Sequence, residues 1–224
     1  MKLLTLDTST DACSCALYLD GEIRDHSVIA PRQHTTLILP MIAKLLATAE
    51  LKPTQLDGIA FGCGPGSFTG LRIAAGITQG IAFAADIPVA PISCLATLAQ
   101  AAYLENGIEK VLAAIDARMN EVYFGKYLVD KEGIMQLEDE EIVAAPATIH
   151  LPTTQGWYGI GTGWASYAHE LTAQLEDKLQ GYQGEKYPQA RAIVPLARVA
   201  FAAGQVVSAA DALPVYLRNQ VVSL

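Results

Sequence analysis

The pattern of apolar and polar positions divides the first half of the chain into strands and helices. Apolar runs bounded by turn residues predict strands at 2–8, 13–19, 22–29, 57–62 and around residue 89. Helical spacing of apolar residues predicts helices at about 35–49, 70–84 and 93–103. The dipeptide Asp20-Gly21 is typical of a two-residue hairpin, and Ser93 suits the N-cap of the third helix. Three antiparallel strands followed by alternating helices and strands indicate a mixed sheet covered by helices.

The pattern restarts near residue 105 in a smaller and looser form. It predicts strands at 110–116, 121–129, 134–144 and 157–161, and helices at 164–176 and about 195–209. This similarity between the halves favours a duplicated, two-lobed α/β architecture, although the sequence contains no literal repeat. We predict a first lobe at 1–104, completed by the C-terminal segment 190–224, and a second lobe at 105–189.

Two helices of the first half are more apolar than a surface helix requires. In the first helix the apolar residues cover about 200°, whereas an apolar stripe of about 100° is enough to pack on a sheet. One stripe contains Leu37, Met41 and Leu45 and another contains Ile38, Ile42 and Leu46, and only one of them is expected to face the sheet. We therefore predict that these helices also contact a second protein. The predicted interface residues are Leu37, Ile38, Met41, Ile42, Leu45, Leu71, Arg72, Ala75 and Gln79.

Residues 62–73, GCGPGSFTGLRI, form a glycine-rich loop directly before the second helix. Such a loop can bind phosphate through backbone N–H groups, or it can let the helix pack closely on its neighbours. It lacks the lysine of a P-loop, because Leu71 and Arg72 follow Gly70. The turn after the first strand, DTST, can hold a magnesium ion and a phosphate or satisfy its own backbone. The weak candidates for a nucleotide site are Asp7, Thr8, Gly66, Ser67 and Arg72.

The chain offers no recognisable metal-binding or catalytic pattern. His34 opens the first helix, but Ile38 stands one turn later, where a second zinc ligand would be expected. The four cysteines lack the CxxC spacing of a metal or redox site, which favours buried thiols in a reducing compartment. We predict no metal site and no catalytic residues.

Composition limits the partners of the chain. Of its 224 residues 51% are hydrophobic and 17% charged, so it can bury a substantial core. Fifteen Lys and Arg against 23 Asp and Glu give a net charge of −8, which disfavours direct binding to nucleic acid. No apolar stretch reaches the roughly 18 residues of a membrane helix. The opening MKLLTLDTST does not resemble a signal peptide, and we expect a cytoplasmic protein.

Several motifs together resemble the bacterial TsaB (YeaZ) family. They are LLTLDTSTDACSCAL, QHTTLILPMI, GIAFGCGPGSFTGLRIAAGITQGIA, AAIDARMNEVYFGKY and PVYLR, and they extend over nearly the whole chain. The resemblance implies two ribonuclease-H-like lobes of the actin/Hsp70/sugar-kinase superfamily, with mixed sheets flanked by helices. The family is similar to TsaD, the enzyme that transfers a threonylcarbamoyl group to N6 of adenosine 37 in ANN-decoding tRNAs. Its members lack the metal-binding histidine pair of TsaD, in agreement with Ile38 in this chain.

The resemblance therefore implies a non-catalytic paralogue that binds and activates TsaD, with the ATPase TsaE joining the complex. It implies no cofactor of its own, a nucleotide bound only together with partners, tRNA contact only through the complex, and no membrane. The wide apolar surface of the two helices predicts a homodimer when TsaD is missing. Two alternatives stay open, an ATP-binding small-molecule kinase of the same superfamily and a peptidase.

Overall fold

A computed structural model describes residues 1–218 and contains two mixed sheets. The first sheet has the strand order β3-β2-β1-β4-β5, with antiparallel pairs among the first three strands and parallel pairs from β1 to β4 and from β4 to β5. Its strands are β1 (Lys2–Asp7), β2 (Ala12–Leu19), β3 (Glu22–Ile29), β4 (Gly58–Gly64) and β5 (Val89–Ser93). The predicted hairpin at Asp20-Gly21 is confirmed, since both residues have positive φ and connect β2 to β3.

The second sheet repeats this topology. Its order is β8-β7-β6-β10-β11, again with an antiparallel meander followed by parallel strands. Its strands are β6 (Lys110–Arg118), β7 (Glu121–Val129), β8 (Met135–Leu137), β9 (Ile142–Ala144), β10 (Trp157–Ile160) and β11 (Leu179–Gln183); β9 also pairs with β7. The expected duplication is therefore present in the strand order.

Within residues 1–218, five α-helices complete the fold: α1 (His34–Thr48), α2 (Phe68–Ala85), α3 (Cys94–Asn106), α4 (Thr162–Leu175) and α5 (Ala190–Ala202). Helices α1 and α2 cover one face of the first sheet, and α5 covers the other. Helix α3 packs on the inner face of the second sheet and against α5, while α4 covers the outer face. The predicted fold class, mixed sheets flanked by helices, is confirmed.

Alternation along the strands assigns side chains to these layers. In β1, Leu4 and Leu6 face α1 and α2, whereas Leu3 faces α5. In β6, Val111 contacts the α3 layer and Leu112 contacts the α4 layer. Both strands are buried on two sides, which explains why their sequences are nearly continuous apolar runs.

Three details of the second half differ from the sequence expectations. The predicted strand 134–144 is interrupted and forms the short strands β8 and β9, and β11 was not predicted at all. The last helix covers 190–202 instead of 195–209. Pro195 lies inside this helix and does not mark its start, and Gly204, with φ of 69°, follows its end. Of the predicted C-terminal completion of the first lobe, residues 219–224 lie outside the described chain.

We call the first sheet with α1, α2 and α5 the first lobe, and the second sheet with α4 the second lobe. Helix α3 joins them. The predicted N-cap Ser93 is confirmed, because its Oγ accepts hydrogen bonds from the N–H groups of Leu95 and Ala96, both at 3.1 Å. The same hydroxyl donates to the Glu141 carboxylate, which Tyr127 also contacts. The start of α3 thus connects the two lobes through the Ser93–Glu141 contact.

None of the helices within residues 1–218 is long and apolar enough to cross a membrane.

The glycine-rich loop places α2 directly against the turn that follows β1. The Thr8 hydroxyl donates to the Gly70 carbonyl at 2.7 Å, and the Ser67 N–H donates to the Ser9 carbonyl, also at 2.7 Å. A β-carbon at Gly70 would overlap the Thr8 carbonyl oxygen, and one at Gly66 would be 2.6 Å from the Ser9 carbonyl oxygen. Glycine is therefore required at both positions for close backbone approach.

Replacing Gly70 by alanine should destabilise the protein by roughly 1–3 kcal/mol or more, because the new methyl group would displace backbone. Gly76 is a matched control in the same helix, since a β-carbon there would meet no atom within 4 Å. Gly76→Ala should stabilise by up to about 1 kcal/mol through helix propensity. Urea unfolding of both variants, each at a concentration where the chain is monomeric, measures the difference, and equal stabilities would contradict the close-packing account.

Candidate functional site

The sequence candidates for a nucleotide site are distributed over three environments. Asp7 and Thr8 are fully buried beneath the glycine loop. Gly66 and Ser67 line the cleft between the lobes. Arg72 lies on the exposed side of α2, with its guanidinium carbon 3.7 Å from the centre of the Phe68 ring. The five residues are therefore not assembled around one space.

Asp7 is enclosed by groups of this chain. Its Oδ1 accepts hydrogen bonds from the Ser9 N–H at 2.9 Å and from the Ser9 hydroxyl at 2.8 Å. Its Oδ2 accepts a weak hydrogen bond from the Cys94 thiol at 3.6 Å. Gly62 lies against the carboxylate, where a β-carbon would overlap Oδ2. Both carboxylate oxygens are thus engaged within the protein.

Burial dominates the ionisation of Asp7. Desolvation raises the pKa of Asp7 from 3.8 to about 6, and the hydrogen bonds from Ser9 and Cys94 oppose this rise. The pKa of the Cys94 thiol is also raised, first by burial and then by the nearby Asp7 charge. This pairing of a carboxylate with a neutral thiol offers no positive charge to stabilise an ionised Asp7.

The cleft between the lobes has a volume of about 740 Å³. Its first-lobe wall consists of the residues around Thr10, Arg32 and Ser67, and its second-lobe wall contains Asp116 and Arg118. The Thr10 hydroxyl is buried and has no hydrogen-bond partner within the described chain. The sequence candidates include Gly66, Ser67 and the DTST turn that contains Thr10. Arg32, Asp116 and Arg118 leave no such signal, because they come from segments that are far apart in the chain.

His34 lies at the edge of the cleft but is held by the backbone. Its side chain is buried, and its Nε2 lies 3.2 Å from the Ala12 carbonyl oxygen. Ile38, one turn later, is fully buried in the first core. Within residues 1–218, no three His, Cys, Asp or Glu side chains are grouped closely enough to hold a metal ion.

The apolar residues of α1 pack against other parts of the same chain. Both stripes are buried, including Met41 in one and Ile42 in the other, so the expectation that only one faces the sheet is wrong. The reason is that α1 packs on β2, on β3 and on α2 at once, with the Met41 sulfur 3.9 Å from the Cys13 sulfur. A single helix can bury two stripes when a second helix lies beside it on the sheet.

The predicted interface residues consequently differ in accessibility. Only Arg72 is exposed, and Leu37 and Gln79 are partly buried. The remaining six are buried in the core: Ile38, Met41, Ile42, Leu45, Leu71 and Ala75.

The accessible face of α2 combines Arg72 with three residues that the sequence did not predict, and we call these four the free face: Arg72, Gly76, Gly80 and Phe83. These residues follow helical spacing, and the Phe83 side chain is 84% exposed. Neither Gly76 nor Gly80 has a neighbour near its missing β-carbon, so another backbone could approach here. On α1, Leu39 is also exposed, at 51%.

The buried Asp7 predicts a pH-dependent stability. Between pH 4 and 6 the folded Asp7 keeps its proton while the unfolded side chain loses it, so stability falls as pH rises through this range. Asp7→Asn should remove this contribution, stabilising the protein at pH 8 by on the order of 3 kcal/mol and changing little near pH 4. Denaturant unfolding across pH measures it, with Glu138→Gln as an exposed control. A loss of stability at pH 8 in Asp7→Asn would show that the ionised carboxylate is favourable.

Comparisons with known proteins identify the family. The family model of TsaD, described as tRNA N6-adenosine threonylcarbamoyltransferase, matches residues 26–213. The protein "tRNA threonylcarbamoyladenosine biosynthesis protein TsaB" of Escherichia coli K12 is 43% identical over 99% of this chain and 96% of its own length. The same-named protein of Haemophilus influenzae is 42% identical over 99% of this chain and 95% of its own length.

A solved structure supports the same relationship. YeaZ from Pseudomonas aeruginosa superposes with a TM-score of 0.90 at 45% identity, covering 96% of this chain and 99% of that structure. The resemblance expected from the sequence motifs is confirmed. The chain belongs to the TsaB (YeaZ) family.

Proposed function

We propose that the chain is the non-catalytic partner and activator of a TsaD subunit. In complex with TsaD and the ATPase TsaE, it would support formation of N6-threonylcarbamoyladenosine at position 37 of ANN-decoding tRNAs in the cytoplasm. The observation that carries this proposal is the 43% identity, over nearly the full length, to a protein named for threonylcarbamoyladenosine biosynthesis. The involvement in this pathway follows from the family, and the division of roles is our proposal.

The environment of the polar residues supports a non-catalytic role. A transferase of this superfamily would need accessible groups at the base of its cleft, but the Asp7 carboxylate is enclosed by Ser9, Cys94 and Gly62. The helical position that would continue a histidine pair is the buried Ile38. We further propose that the chain holds no nucleotide of its own, because Thr8 and the glycine loop bond to each other.

The free face of α2 supports a protein partner. It combines an exposed aromatic side chain, Phe83, with two glycines that leave the helix backbone accessible. Aromatic residues are enriched in protein interfaces, and small residues allow close helix packing. We propose that TsaD binds this face, and that two copies of the chain use it when TsaD is absent. The charge of −8 favours tRNA contact through the complex.

Gly76→Glu should separate binding from folding. The side chain enters open space in the isolated chain, so the variant should fold, but in the complex it would bury an unpaired carboxylate. We expect TsaD affinity to fall at least about 100-fold, the factor for roughly 2.7 kcal/mol. Calorimetry with TsaD measures the affinity. Reconstituted tRNA modification should be lost in parallel.

Ala173→Glu, an exposed position on α4, adds the same charge in the second lobe and should leave TsaD binding unchanged. Sedimentation of the chain alone should show a wild-type dimer and a Gly76→Glu monomer. Unchanged TsaD affinity in Gly76→Glu would place the interface elsewhere. Threonylcarbamoyl transfer to tRNA by this chain without TsaD would contradict the non-catalytic role.

A further inference from the structure

The end of the described chain borders the cleft between the lobes, and Tyr216 and Arg218 line it. After α5 the chain follows α2, where the Gln79 amide donates to the Ala212 carbonyl at 3.3 Å. The Val215 N–H then donates to the Cys63 carbonyl at 2.7 Å, and the Val215 carbonyl oxygen occupies the space of a β-carbon at Gly64. We call residues 213–218 the strap. Its course explains why position 64, with φ of 132°, is glycine.

One anchor of the strap lies on the first lobe. The rings of Tyr216 and Phe68 pack with their centres 5.4 Å apart, and Arg72 covers Phe68. The Arg72 Nε also donates to the Tyr216 hydroxyl at 3.3 Å. This arrangement joins the strap to the first turns of α2 through aromatic and cation–π contacts.

The other anchor lies on the second lobe. The Arg218 guanidinium donates to the Ala117 carbonyl at 3.0 Å and to the Glu121 carboxylate, and its Nη2 lies 3.5 Å from the Arg118 carbonyl oxygen. The Arg218 side chain is only 17% exposed. These acceptors flank the turn from β6 to β7, where Arg118, Met119 and Asn120 all have positive φ. Charge-assisted hydrogen bonds of this kind are stronger than neutral ones.

We propose that the strap is an inter-lobe latch. The lobes are joined where the Ser93 hydroxyl donates to the Glu141 carboxylate, and the strap joins them a second time along the cleft, which Tyr216 and Arg218 line. Release of Arg218 from the second lobe removes this second contact while the Ser93–Glu141 contact holds, so that the lobes part by a hinge motion. Arg72 belongs both to the free face of α2 and to the Tyr216 anchor. Release of the strap therefore also changes the surroundings of Arg72 on the free face.

Distance measurements between the lobes test the latch. The native cysteines are buried, so spin labels can be placed at Lys44→Cys on α1 and Glu170→Cys on α4, two exposed positions. In Arg218→Ala the electron–electron distance distribution should broaden and shift relative to the wild-type background. Hydrogen exchange of residues 117–121 should be about tenfold faster or more, because their turn loses the charged donor.

Two further variants make the test specific. Glu121→Gln removes one acceptor charge but keeps the backbone acceptors, and it should give a smaller change in the same direction, even if Arg218→Ala fails to fold. Arg24→Ala removes an arginine that pairs with Glu22 within one strand, and it should change neither measurement. Wild-type distances and exchange rates in both Arg218→Ala and Glu121→Gln would overturn the latch. The same effects in Arg24→Ala would attribute them to general destabilisation and would also overturn it.

Discussion

The carbonyl oxygens of Thr8 and Ser9 occupy the space that β-carbons at positions 70 and 66 would need. This close contact fixes the start of α2 on the end of β1, and the positions of the cleft wall and the free face follow from it. It also engages the two segments that could otherwise hold a phosphate, because the Thr8 hydroxyl and the Ser67 N–H bond across the contact. In this chain the glycine-rich loop allows one backbone segment to pack directly against another.

The duplication of the sheet determines where the helices lie. Each lobe has a meander followed by parallel strands, and α3 and α5 lie in the layer between the sheets. The surfaces accessible to other molecules include the outer helices, the cleft, the strap and the exposed side of α5 with Arg198 and Val199. The unusually apolar α1 and α2 therefore serve two purposes. Most of their apolar residues build the first core, while Phe83 on the free face and Leu39 on α1 are accessible.

Much of this fold could be predicted from the sequence, since buried strands and amphipathic helices leave periodic patterns. The strands of the first sheet, the hairpin at Asp20-Gly21 and the Ser93 cap were found in this way. Strand β11 was missed because its sequence, LQGYQ, is mostly polar and lies at a sheet edge. The motifs also indicated the family correctly.

The site was less predictable, because periodicity shows that a residue is apolar but not which element covers it. Met41 and Ile42 have the spacing of two separate surfaces, and only the placement of α1 beside α2 shows that both are buried. In the same way, Arg218 and Glu121 are distant in sequence, and the fold alone brings them together. Long-range contacts of this kind leave no signal in a single sequence.

The central claim is that the turn after β1 and the glycine loop serve packing, so that the chain acts through its partner and not through a nucleotide of its own. Calorimetric titration of the isolated chain with MgATP tests this most directly. The account predicts no saturable binding up to about 1 mM nucleotide, which corresponds to less than roughly 4 kcal/mol of binding free energy. One-site binding with a micromolar Kd would contradict it and would favour the kinase alternative.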